Sequence, residues 1–167
     1  MKKILLFYLF ISLTCCEPDD ICSESTSTTP RLVIEFFDIE NLNDTKTVPG
    51  LFAVALDEQG LEIPIIGESV SSRYRIELPL NGNFDQSKFK LYKNYDINDG
   101  IVQGNPDIIT VNYTTEAIYV SRACGYKNNY YLNEFNIDND IDLWMVLSEI
   151  SNNEVQNENT KHVQIFH

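Results

Sequence analysis

Histidine is scarce in this chain: there are two, His162 and His167, both among its last six residues. Neither stands where it could activate a cysteine, so a Cys–His nucleophile finds no support. Basic residues are few as well, 12 Lys and Arg against 25 Asp and Glu, for a formal charge of −13. A surface of that sign repels nucleic acid and anionic head groups, which excludes polyanion binding as the main task. No apolar run reaches the roughly 20 residues that a membrane helix needs. No glycine-rich loop opens a helix, "GESVS" (67–71) lacks the second glycine of a nucleophile elbow, and the carboxylates follow no catalytic spacing. The closely spaced ligands of a structural zinc site are also missing. The expectation is a protein with no catalytic residues, no metal and no cofactor.

What the sequence does have is a distinctive beginning. "MKK" precedes a ten-residue apolar run, Ile4 to Leu13, the order of a secretory signal peptide. Leu13, Thr14, Cys15 and Cys16 resemble the lipobox of bacterial lipoproteins, with Leu at −3 and the lipid-accepting cysteine at +1. That resemblance implies a leader over 1–15, lipidation of Cys16, and Cys16 as the first residue of the mature protein. Lipidation of Cys15 is the alternative, although it places Ser12 where a branched apolar side chain fits the peptidase better. An ordinary hydrophobic leader with incidental cysteines is the other reading. Each acyl CH₂ buried in lipid contributes about 0.8 kcal/mol, so two or three chains hold a protein at a bilayer almost permanently. Loss of Lys2 and Lys3 takes the formal charge from −13 to about −15. Glu17, Asp19 and Asp20 resemble the export signal of Bacteroidota-type lipoproteins bound for the outer leaflet of the outer membrane; a solvated acidic tether is the plainer alternative.

With Cys15 removed and Cys16 committed to lipid, Cys22 and Cys124 remain. In an oxidising compartment a disulfide between them is the economical expectation. Two free buried thiols, or a catalytic thiol, are the alternatives. The chain-entropy account assigns a bond closing a 100-residue loop about 4.7 kcal/mol, a large share of the roughly 5–15 kcal/mol that stabilises a whole domain.

"SESTSTTP" (23–30) reads as a linker, so 16–30 form a lipidated tether and 31–167 a single domain. Nine β-branched or alternating stretches follow: 31–39, 51–58, 73–80, 88–93, 107–113, 117–124, 129–135, 141–150 and 162–166. "RYRIELPL" (73–80) alternates most cleanly, with Tyr74, Ile76, Leu78 and Leu80 expected inward. The runs 107–113 and 117–124, joined by Thr-Thr-Glu, read as a hairpin. "DLWMVLSEI" is the one place where a helix competes. Many short strands between Gly, Pro, Asn and Asp clusters predict an all-β antiparallel sandwich, Greek-key and immunoglobulin-like, of about nine strands, with a closed barrel as second choice.

Three features invite a ligand. "NYDINDG" (94–100) resembles a calcium loop with its glycine one place late and no closing glutamate. "NIDNDID" (136–142) sets Asp138, Asp140 and Asp142 at alternate positions. Tyr92, Tyr95, Tyr126, Tyr130 and Tyr131 lie near Asn- and Lys-containing stretches, a mixture that stacks on sugars, contacts protein, or simply packs.

"CEPDDIC" (16–22), "TTPRLVIEFFD" (28–38), "IYVSRACGYK" (118–127) and the closing "HVQIFH" (162–167) together resemble an uncharacterised Bacteroidota-type lipoprotein family, an all-β domain of unknown function. The resemblance implies an outer-membrane or periplasmic lipoprotein with no known activity, and it supports the pairing of Cys22 with Cys124. The expected function is a lipid-anchored, non-catalytic binding or structural component of the cell envelope with a protein partner there. A calcium- or glycan-binding surface module is the alternative.

Overall fold

The computed structural model describes residues 21–23, 26 and 28–167. The leader and the lipidation expected at Cys16 lie outside the described residues. The chain separates into two compact units: Thr29–Ala117 with Asn128–His167, and Met1–Thr28 with Ile118–Lys127.

Among the described residues there is no helix; eleven strands follow one another. They are β1 (Leu32–Phe37), β2 (Val48–Leu56), β3 (Glu62–Pro64), β4 (Ser71–Arg73), β5 (Arg75–Leu78) and β6 (Gln86–Asn98). Then come β7 (Ile101–Ser121), β8 (Gly125–Ile137), β9 (Leu147–Ile150), β10 (Glu154–Val155) and β11 (Val163–Phe166). The larger unit is a β-sandwich. A four-stranded sheet is ordered β5-β1-β11-β9, and a seven-stranded sheet β10-β8-β7-β6-β2-β3, with β4 paired to β2 beside it. The expected all-β sandwich is present; three short strands, β3, β4 and β10, add to the nine expected, and two expected strands merge into β7, which gives eleven.

β1 is apolar on both faces because it is central. Leu32, Ile34 and Phe36 enter the core, and Val33 and Phe37 are also buried, leaving Glu35 half-buried. Its neighbour β11 runs parallel to it, with Ile34 opposite Val163 and Phe36 opposite Ile165. Parallel neighbours need a long crossover, and here β2 to β10 all lie between them. Between the sheets, Ile34, Phe36 and Ile165 share one core with Ala53, Phe89, Leu91, Ile109 and Val111. Full burial of each large apolar side chain is worth roughly 1.5–3 kcal/mol.

Three local expectations are corrected. The runs 107–113 and 117–124 are not a hairpin but parts of one strand, β7. Thr-Thr-Glu contains no residue that favours a turn, and its side chains are used along the strand: Thr114 accepts a bond from Asn133 and Glu116 one from Tyr131. The chain reverses after Ser121, where Gly125 has φ +69°. Second, Tyr74 is 45% exposed, because there the chain crosses from β4, paired with β2, to β5, paired with β1. Third, only Leu147–Ile150 of the 141–150 run is strand.

Candidate functional site

The structure joins Cys22 to Cys124 in a disulfide, Sγ–Sγ 2.07 Å, within the smaller unit. Thus Cys124, in the β7–β8 turn, is held to the segment that leads from Cys16.

"NYDINDG" lies in a β-hairpin. It is the end of β6 running into a two-residue reversal at Asp99 and Gly100, which take φ +51° and +78°. An Asp-Gly pair with both φ positive is the chemistry of a type I′ hairpin turn, and it looks like a cation loop to anyone counting carboxylates. In the other acidic stretch, Asp138 accepts a bond from Thr110 Oγ1 at 3.0 Å and its N–H donates to the Ile108 carbonyl. Asp140 turns onto its neighbour, the Ile141 N–H. Among the described residues no three His, Cys, Asp or Glu side chains gather to hold a metal.

Sequence reasoning missed Asp107. It is fully buried, and its Oδ2 accepts the N–H groups of Trp144 (2.9 Å) and Met145 (2.8 Å), fastening the segment ahead of β9. Burial raises its pKa above the ordinary carboxylate value, and Asp140 and Asp142 push in the same direction. Both histidines are also buried and structural. His162 Nδ1 accepts the Val33 N–H at 2.9 Å, while the His162 N–H donates to the Val33 carbonyl. At the other end of β11, the His167 N–H donates to Phe37 and its carbonyl accepts Lys46 Nζ at 2.8 Å. Burial holds both rings below the ordinary histidine pKa.

The tyrosines divide by task. Tyr113 and Tyr130 are buried edge to face, 5.2 Å apart. Tyr113 Oη donates to the Asn81 carbonyl and accepts the Asn81 N–H, each at 2.9 Å, and Tyr130 Oη donates to the Leu80 carbonyl. Together they brace the connection from β5 to β6. Tyr92 and Tyr95 cluster with Phe52, and Tyr92 Oη donates to Glu62, whose carboxyl Lys90 and this bond hold below its usual value. Tyr119 and Tyr126 pair in the smaller unit.

That braced connection forms one wall of a cleft of about 1070 Å³ in the larger unit. The turn after β2 also lines it, and there Asp57 Oδ1 accepts the Gln59 and Leu61 N–H groups at 2.9 and 2.7 Å. Leu56, Ile63, Pro79, Phe84 and Ile108 give it an apolar lining, and Gln86, Lys88 and Asp138 add polar groups. Leu56, Lys88 and Thr110 form one row across β2, β6 and β7. Lys90, two residues on along β6, is paired with Glu62 at 2.6 Å, whereas Lys88 has no ion pair among the described residues. A half-exposed Phe84 beside an uncommitted ammonium suits an occupant with both an apolar and an acidic group.

A family model, described as a family of unknown function (DUF6452), matches residues 60–167. The chain belongs to that family. No curated protein and no solved structure matches it. The matched span of DUF6452 opens at the cleft turn and contains Phe84, Lys88, Tyr113 and Tyr130 as well as Asp107. It includes Cys124 and stops short of Cys22, β1 and β2.

Proposed function

We propose that the protein is a lipoprotein of Bacteroidota type, held in the outer membrane through acyl groups on Cys16, whose β-sandwich binds an envelope protein without performing chemistry. The observation that carries this reading is the division of the four cysteines: Cys15 and Cys16 at the lipobox, and the two beyond it bonded to each other, as an oxidising compartment favours. The cleft is the proposed binding region. The occupant that its lining favours is a protein segment that lays an apolar side chain against Phe84 and an acidic group near Lys88.

Pull-down from gently solubilised membranes tests it. The parent should recover a stoichiometric envelope protein, and Phe84→Ala combined with Lys88→Glu should lose it. Phe84 is exposed and Lys88 half-buried without an ion pair among the described residues, so stability should change by no more than about 1 kcal/mol for each substitution. Repeated recovery of the bare monomer from the parent, or undiminished recovery by the double variant, contradicts the proposal.

A further inference from the structure

The outer strands of the two sheets differ in what their free edges offer. Just ahead of β5, the Tyr74 carbonyl accepts the Phe36 N–H at 2.8 Å, and the register continues with Ile34 opposite Ile76 and Leu32 opposite Leu78. Opposed residues of an antiparallel pair exchange hydrogen bonds at every second position. Val33 and Glu35 therefore turn their backbone groups away from β5, and Val33 gives its N–H to His162 Nδ1 and its carbonyl to the His162 N–H. Arg75 and Glu77, opposite Glu35 and Val33, likewise turn both N–H groups and both carbonyls away from β1. Among the described residues β5 pairs with β1 alone, so these two donors and two acceptors are left without a strand partner.

Charged side chains on an outer strand commonly guard it. Here the guanidinium is drawn back over the sheet: Arg75 pairs with Glu77 at 2.9 Å and with Glu35 of β1 at 3.7 Å, and its Nη2 donates to the Glu158 carbonyl. The other edges are less suited. In β3 the Asp57 N–H donates to the Leu61 carbonyl, and the same alternation turns Glu62 and Pro64 outward, where Pro64 has no N–H to give. β4 and β10 hold only three and two residues. β9 turns Ser148 and Ile150 outward, since the Ser151 N–H donates to the His162 carbonyl, but no residue of β9 lines the cleft. β5 runs straight into it: Pro79, the residue after the strand, lines the cleft, as do Leu80, Asn81 and Phe84.

We infer that the segment of the envelope protein joins the sandwich as an added strand beside β5, bonding the outward groups of Arg75 and Glu77 with its backbone and delivering side chains to the cleft from there. This deepens the reading of the cleft as the binding region and rests on it. In strand addition the main-chain bonds supply affinity and the side-chain pocket supplies selection. Antiparallel addition, the commoner pairing, sets the N-terminal end of the segment at the cleft, because β5 runs toward Pro79.

The test uses the full chain extracted in detergent and a capped peptide in which phenylalanine and glutamate precede alternating valine and threonine. Residue-resolved hydrogen exchange and peptide affinity are both measured. In the free protein the Arg75 and Glu77 amides should exchange about tenfold or more faster than those of Ile76 and Leu78. The peptide should slow the first pair about tenfold or more and leave Ser148 and Ile150 unchanged. N-methylation of alternate peptide amides separates backbone from side-chain recognition: one set should weaken binding about tenfold or more, and the complementary set less than about threefold. Phe84→Ala combined with Lys88→Glu should weaken it about tenfold as well. Slow exchange of Arg75 and Glu77 in the free protein overturns the open edge. Binding that needs Phe84 and Lys88 but is indifferent to N-methylation, or that slows Ser148 and Ile150 instead, overturns strand addition and spares the cleft. Binding that persists in the double variant, or no binding at all, overturns both.

Discussion

The two sheets of the sandwich solve opposite problems. In the four-stranded sheet β1 and β11 are short, parallel and buried on both faces, and backbone and side-chain bonds from His162 and His167 hold the ends of β11. In the seven-stranded sheet β6 and β7 are long, and beyond Lys93 they leave the core: Ile97, Ile101 and Val102 are 57%, 67% and 48% exposed. One sheet spends its apolar residues on stability. The other extends strands outward and borders the cleft. The larger sheet serves both ends: along β6, Leu91 enters the core while Lys88 lines the cleft, so individual side chains rather than whole strands can be perturbed separately.

Phe36→Ala should break the contrast most severely. Phe36 is fully buried against Trp144 and His167, with ring centroids 5.8 and 6.1 Å away. Denaturant unfolding should show a loss of about 3–5 kcal/mol. Removing the disulfide by Cys22→Ser with Cys124→Ser should cost about 2–4 kcal/mol, seen as a lower melting temperature. Next comes Gly104→Ala. At φ +117° its Cβ would lie 2.9 Å from the carbonyl oxygens of Lys93 and Asn94, where the β6–β7 register shifts. A loss of about 1–3 kcal/mol is expected, and a melting temperature equal to the parent's would refute the role assigned to that bulge.

Acid should act on the compact sheet through its histidines. Burial depresses both pKa values, so each ring is neutral in the fold, and the unfolded chain binds the extra proton first. The stability they contribute is present above about pH 6.5 and lost as pH falls through their lowered folded values. Asp107, with a raised pKa, acts in the other sense and weakens the fold as pH rises above the ordinary carboxylate value. His162→Asn, which keeps an acceptor for the Val33 N–H, should flatten the decline in melting temperature between about pH 7 and pH 5. The smallest effect belongs to the hairpin arm: Ile101→Ser should change unfolding free energy by about 0.5 kcal/mol or less. A larger loss would mean that the arm belongs to the core after all.

Much of the sandwich was legible because alternation and β-branching mark strands whatever their partners. β1 and β11 lie within stretches so marked, and β2 and β8 overlap theirs while reaching beyond them. The Thr-Thr-Glu error came from treating a short polar interval as a turn when none of its residues favours positive φ. "NYDINDG" is ambiguous for a related reason, since Asn, Asp and Gly serve cation loops and tight hairpin turns alike. The cleft was not legible at all. Leu56, Phe84, Lys88, Ile108 and Asp138 come from separate segments, and only pairing across β2, β6 and β7 brings them together. Asp107 was hidden because a buried carboxylate capping two distant N–H groups leaves no periodic trace.

The anchor and the disulfide are tested together by the intact mass of the mature protein, extracted in detergent and treated with an alkylating agent before and after reduction. The account predicts residues 16–167 bearing acyl groups, no alkylation before reduction, and alkylation at Cys22 and Cys124 after it. An unacylated chain that still begins at Met1, or two thiols alkylated without reductant, would contradict it.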